Sequence, residues 1–134
     1  KGTAQADLKT NSTSWGNYAN NSWNITNANS KYAIAYTIPQ WTSGAYGTKD
    51  SSTNILLSTG ASDTFSKQGI YDLAGNVSEW TLEHHTSDDS SYSCVRRGGK
   101  YYYLEDGIHG PAASRYDNST TYFTDSVGFR VALY

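Results

Sequence analysis

Cysteine is almost absent: Cys94 is the single thiol in 134 residues. One cysteine excludes an internal disulfide and a cysteine-based zinc site, and Cys94 reads as a small buried apolar residue beside Val95. Charge is scarce too. Charged residues make up 16% of the chain and the net charge is −2, so there is no basic footprint for nucleic acid. No apolar run nears the ~20 residues that span a bilayer, so membrane insertion is not expected, and no signal-peptide core is seen in a chain that begins at Lys1. Also missing are an internal repeat, a low-complexity linker and any helical stripe longer than about three turns. The length suits one domain over residues 1–134, burying roughly two-thirds of its unfolded surface. Lys1 is an unusual start, so the chain reads as the C-terminal part of a longer polypeptide.

What is abundant is tyrosine, with 12 residues against 3 Phe and 4 Trp. Rings with one wet end suit binding surfaces. Asn, Ser, Thr and Gly are plentiful, as in a loop-rich domain. Residues 1–31 read as polar coil punctuated by Trp15, Tyr18, Trp23 and Ile25. Residues 32–38 alternate large and small and form a strand stopped by Pro39. Residues 54–59, "NILLST", are a brief helix or a buried strand, and periodicity does not choose between them. After residue 69 come a turn at Ala74-Gly75-Asn76, an alternating stretch to Thr81, a strand in "SCVRRGG" (93–99), a short strand in "AASRY" (112–116) and a final strand in "VGFRVALY" (127–134). "GGKYYYLEDGIHGPAASRY" (98–116) stands apart. Three successive tyrosines on a strand cannot all face a core, because neighbouring side chains point opposite ways.

The order "GIYDLAGNVSEWT", "VRRGG", "SRY", "VGFRVAL" resembles the formylglycine-generating enzyme (sulfatase-modifying factor) domain, well over residues 69–134 and weakly over 41–68. The resemblance implies an α+β class and a C-type lectin-like fold with short strands and much irregular loop. In the enzymes of that family two cysteines after the glycine pair bind copper and do the thiol chemistry; matching "RGG" puts Tyr103 and Ile108 there. A thiolate mechanism needs its thiols. No His-Glu-x-x-His, Gly-x-Ser-x-Gly or phosphate-loop motif replaces them, and His84, His85 and His109 read as surface histidines. The expectation is therefore no enzyme and no copper. The alternatives are a formylglycine-generating-type oxidase that has lost its cysteines, and a structural tail-fibre or surface domain.

The same signature is similar to the variable proteins of diversity-generating retroelements in phages and bacteria. There the region matching residues 98–126 is the variable, ligand-contacting part. The resemblance implies a receptor-recognition module outside the cell, on a virion or cell surface, with a protein or glycan ligand; such display proteins are often oligomers. It places Tyr101, Tyr103, Glu105, Asp106, His109, Tyr116, Asn118 and Tyr122 on the ligand-facing side, and Trp80, Val95, Phe129, Val131 and Leu133 in the core. The resemblance to the formylglycine-generating enzymes implies a structural calcium ion held by the side chains of Asp72 and Glu79 and the carbonyls of Gly75 and Val77, hard oxygen ligands at a tight turn. Arg97 and Arg130, beside glycines, are expected to include at least one partly buried ion pair with Asp72, Glu79 or Asp125.

Overall fold

The computed structural model describes residues 8–34, 40–85, 90–104 and 110–130. Short strands separated by turns dominate them: β1 (Gly16–Asn17), β2 (Trp23–Ile25), β3 (Lys31–Ile34), β4 (Thr42–Ser43), β5 (Gly47–Lys49), β6 (Ile55–Leu57), β7 (Ser66–Lys67), β8 (Ile70–Tyr71), β9 (Ala74–Gly75), β10 (Ser78–His84), β11 (Cys94–Arg97), β12 (Arg115–Asn118) and β13 (Val127–Phe129). Helical structure among the described residues is slight, chiefly 3₁₀ turns at Thr13–Trp15, Asp63–Phe65 and Ser90–Tyr92. Among the described residues the class is not plainly α+β: short strands and irregular loop predominate. Gly, Asn, Ser and Thr interrupt the chain too often for a helix to propagate past its nucleus.

The largest sheet has the order β12-β11-β10-β13, with β13 parallel to β10 and the other pairs antiparallel. Smaller pairings are β2 with β5, β4-β3-β6, β7 with β8, and a parallel two-residue bridge between β1 and β9. That bridge needs glycine on both sides. A Cβ on Gly16 would lie 1.6 Å from the Ala74 carbonyl oxygen, and one on Gly75 would lie 2.3 Å from that of Asn17.

Packing settles the ambiguity at "NILLST". Ile55, Leu56 and Leu57 form a strand buried on both faces. Ile55 and Leu57 join Trp23, Ile25, Ala61 and Phe65 in one cluster, while Leu56 meets Ala33 and Tyr101 in another. With apolar partners on both sides there is no alternation for periodicity to detect. The apparent polar coil of the N-terminal third is also core: Trp15 and Tyr18 pack with Ala74 and Ala112.

Asparagine side chains explain how so polar a segment is buried. Asn17 donates from Nδ2 to the Ile55 carbonyl and accepts from Trp23 Nε1 at 3.0 Å. Asn76 donates to the Leu57 carbonyl at 2.8 Å and accepts from the Leu57 amide at 2.9 Å. Each amide does what a strand neighbour would do for those backbone groups. Lys49 completes the arrangement. Its buried ammonium donates to the carbonyls of Tyr18, Ala19 and Asn21 at 2.9, 3.2 and 2.5 Å.

Candidate functional site

The glycine pair does end β11. Gly98 turns the chain at φ +79°, and Gly99 lets it pass 2.4 Å (for a would-be Cβ) from the Gly110 carbonyl oxygen. Next comes a tight turn, closed by the Tyr103 amide donating to the Lys100 carbonyl at 3.0 Å. The tyrosines therefore lie on a turn, where strand alternation does not apply. Their rings form an edge-to-face ladder, with centroids 4.9 Å apart for Tyr101–Tyr102 and 5.0 Å for Tyr102–Tyr103.

The ladder divides at its first rung. Tyr101 is only 3% exposed and packs on Ala33 and Leu56, so its placement on the ligand-facing side is corrected to core. Its hydroxyl meets Asp125 at 3.3 Å. Tyr102 and Tyr103 remain partly exposed.

Cross-strand register shows what shares a face with them. Arg96 sits opposite both Trp80 and Tyr116, and Phe129 sits opposite Trp80. Directly paired residues project to the same side of a sheet, and Asn118 follows Tyr116 by two. This face carries Trp80, Arg96, Tyr116, Asn118 and Phe129. Phe129 is 76% exposed, which corrects its assignment to the core: among the described residues no second layer covers its side of β13. Trp80 is half-buried, with its ring against Tyr122 at 6.5 Å, while Val95, on the other face, is buried as expected. Cys94 is only half-buried.

Arg96, which the sequence reading did not single out, is the centre of the face. It is 4% exposed. Its Nε donates to Asn118 Oδ1 at 2.5 Å and its Nη1 to Ser78 Oγ at 3.0 Å. The guanidinium lies 4.3 Å from the Tyr116 ring centroid and 5.6 Å from that of Tyr122. Lys100, 1% exposed, stands beside it, with its ammonium 5.4, 5.6 and 6.0 Å from the rings of Tyr102, Tyr103 and Tyr122. Burial, and secondly the charge of Arg96, holds the Lys100 pKa below the ordinary lysine range. Four of the expected ligand-facing residues, Tyr103, Tyr116, Asn118 and Tyr122, thus gather around two cations. Glu105, Asp106 and His109 lie outside the described residues, as do Ile108, Val131 and Leu133.

The opposite face of the sheet is an ion ladder. Glu83 accepts from Arg97 and Arg115 at 2.6 Å each, and Arg115 continues to Asp117 at 3.0 Å. The two guanidinium groups, Arg115 first, keep the Glu83 carboxyl below its ordinary pKa. Arg97 is paired as expected, although with Glu83 rather than with the three acids considered.

At the turn preceding β10, Arg130 donates to Glu79 from Nε at 3.0 Å and from Nη2 at 2.5 Å, and to the Asp72 carbonyl at 3.2 Å. This is the expected ion pair. Asp72 is buried, with Oδ2 accepting from the Gly60 amide at 3.0 Å, and burial pushes its pKa up to about 6. As a set for calcium these groups are hard oxygens of the right kind. They conflict at one point, because Arg130 already engages both oxygens of Glu79. No group of three or more His, Cys, Asp or Glu side chains suited to a metal occurs among the described residues.

Comparison with known proteins agrees with the motif reading and extends it. Neither a curated protein nor a solved structure matches the chain. A family model, that of the sulfatase-modifying factor enzyme 1-like domain, matches residues 3–134. The match takes in the tryptophan- and asparagine-rich N-terminal third, for which the sequence motifs offered no resemblance. The chain belongs to the sulfatase-modifying factor enzyme 1-like domain family.

Proposed function

We propose that this family member works by binding and not by catalysis: a lectin-like scaffold that displays a ligand-contacting face, as the variable proteins of retroelements do, on a virion or cell surface. The observation that carries the reading is the gathering of Tyr103, Tyr116, Asn118 and Tyr122 on one partly exposed face, with Tyr103 at a position where the enzymes need a thiol. Tyrosine brings large amphipathic area with few rotors to immobilise. The half-buried ring of Trp80 and the exposed ring of Phe129 enlarge the same face. Aromatic anchors of this kind dominate binding energy at interfaces.

A display face must tolerate change. A library randomised at Tyr103, Tyr116, Asn118 and Tyr122 should retain soluble, protease-resistant protein in most members. A second library randomised at Ala33, Leu56 and Tyr101 should lose it in most members. Equal loss in the two libraries would remove the distinction between scaffold and face, and the reading with it.

A structural calcium ion at the 72–79 turn belongs to the same reading. It would draw on the buried Asp72 carboxylate and take Glu79 from Arg130. Because a ligand that binds only the folded state stabilises it, excess calcium should raise the melting temperature, and Glu79→Gln should abolish the increment. Identical melting curves in chelator and in millimolar calcium, with metal-free protein by elemental analysis, would leave Arg130 as the cation of that turn.

A further inference from the structure

Every described arginine except Arg96 meets a carboxylate: Arg97 and Arg115 meet Glu83, and Arg130 meets Glu79. Among the described residues no carboxylate lies within 4.0 Å of Arg96 or Lys100. Arg96 spends its Nε and Nη1 on neutral acceptors, and Lys100 donates to the Tyr102 hydroxyl at 3.1 Å. Two like charges are thus withdrawn from water side by side. Buried charge is ordinarily paired, and tyrosine π-faces offset only part of its desolvation.

The ring of Tyr122 is the element the two cations share, at 5.6 and 6.0 Å. Tyr122 is 37% exposed and lies between β12 and β13, outside any strand. It is the outermost of the rings around the pair, and its movement would open them to solvent.

We propose that Arg96 and Lys100 form the floor of an oxyanion site, where a ligand presents a phosphate- or carboxylate-type group to both cations at the edge of Tyr122. The guanidinium fork and the ammonium together suit an anion with several oxygens, and a neutral ligand would leave both charges without a carboxylate from the described residues. This deepens the binding reading and rests on it.

The test uses the intact chain and inorganic phosphate as the probe. Melting is compared in 10 mM sodium phosphate and in sodium chloride of equal ionic strength, a concentration about where specific sites fill without general salting effects. The parent should gain about 3 °C or more in phosphate. Lys100→Met should show no gain. In chloride alone it should melt no lower than the parent, since it removes one of two repelling buried charges. An equal gain in parent and Lys100→Met would overturn the site, as would no gain from phosphate, sulfate or acetate. Marked destabilisation of Lys100→Met in chloride would also overturn it, by showing that the chain already compensates the ammonium. Failure here with the tolerant library intact would leave a face for uncharged ligands, whereas a library that fails to fold sinks the binding reading itself.

Discussion

Replacing Tyr101 by alanine should unfold the protein or bring it to the edge of unfolding, while the same change at Phe129 should be nearly silent. Tyr101 is a buried ring packed on Ala33 and Leu56, and it links β3 and β6 to the turn after β11. Truncating a buried ring costs about 3–5 kcal/mol, a large part of the 5–15 kcal/mol that holds a typical domain together. Phe129 buries little on folding, so its removal should stay within about 0.5 kcal/mol, as surface changes do. Urea melts of the two variants decide the matter. A stable Tyr101→Ala beside an unfolded Phe129→Ala would mean that the faces have been assigned the wrong way round.

The second large effect is expected at Asn76, a side chain that belongs to no strand and yet joins three parts of the fold. Its side chain closes on both backbone groups of Leu57, while the Asn76 backbone N–H donates to the Asn17 carbonyl at 2.7 Å and the Asn76 backbone carbonyl accepts from the Tyr101 N–H at 2.9 Å. Its φ of +54° lies in the left-handed region, which asparagine tolerates better than most residues. Alanine there would keep the strain and leave the buried Leu57 N–H and C=O unpaired, at about 1–3 kcal/mol each. Loss of cooperative folding is the expected outcome. Asn76→Asp separates the causes: it keeps the shape and the tolerance of positive φ but sets an acceptor against the Leu57 carbonyl. It should be nearly as damaging if the hydrogen bonds matter, and close to neutral if only the backbone conformation does. Circular dichroism across a denaturant series would read both variants.

These two residues also mark what was legible in the sequence and what was not. β10, β11 and the start of β13 could be read from alternation bounded by glycine, because each pairs as a regular strand in one sheet. Arg130 could be read for the same reason, since a motif arginine beside the last strand has carboxylates within reach. Asn17 and Asn76 could not be read. Asparagine signals turns because its amide competes for local backbone groups, and here the same capacity is used across 38 and 19 residues of sequence. The inversion of Tyr101 and Phe129 has a simple cause. Alternation says which residues share a face, and only tertiary packing says which face is covered. Arg96 was hidden by composition: a basic residue on a strand is normally read as solvated, whereas this one lies under two tyrosines and against Ser78.

The family supplies the decisive contrast. In the resemblance to its enzymes, which use paired thiols, Tyr103 and Ile108 fall at the two thiol positions, and the single cysteine, Cys94, lies on β11 ahead of the glycine pair. On the binding reading proposed above, sulfur chemistry that needs a second thiol is not expected of this chain, while the ring-and-cation face offers a surface for binding. The measurement that bears most directly on that claim is mass spectrometry of a sulfatase-type cysteine peptide after incubation with the copper-loaded protein. The account predicts that the cysteine is recovered unchanged, as in the protein-free control; formylglycine above that control would contradict it.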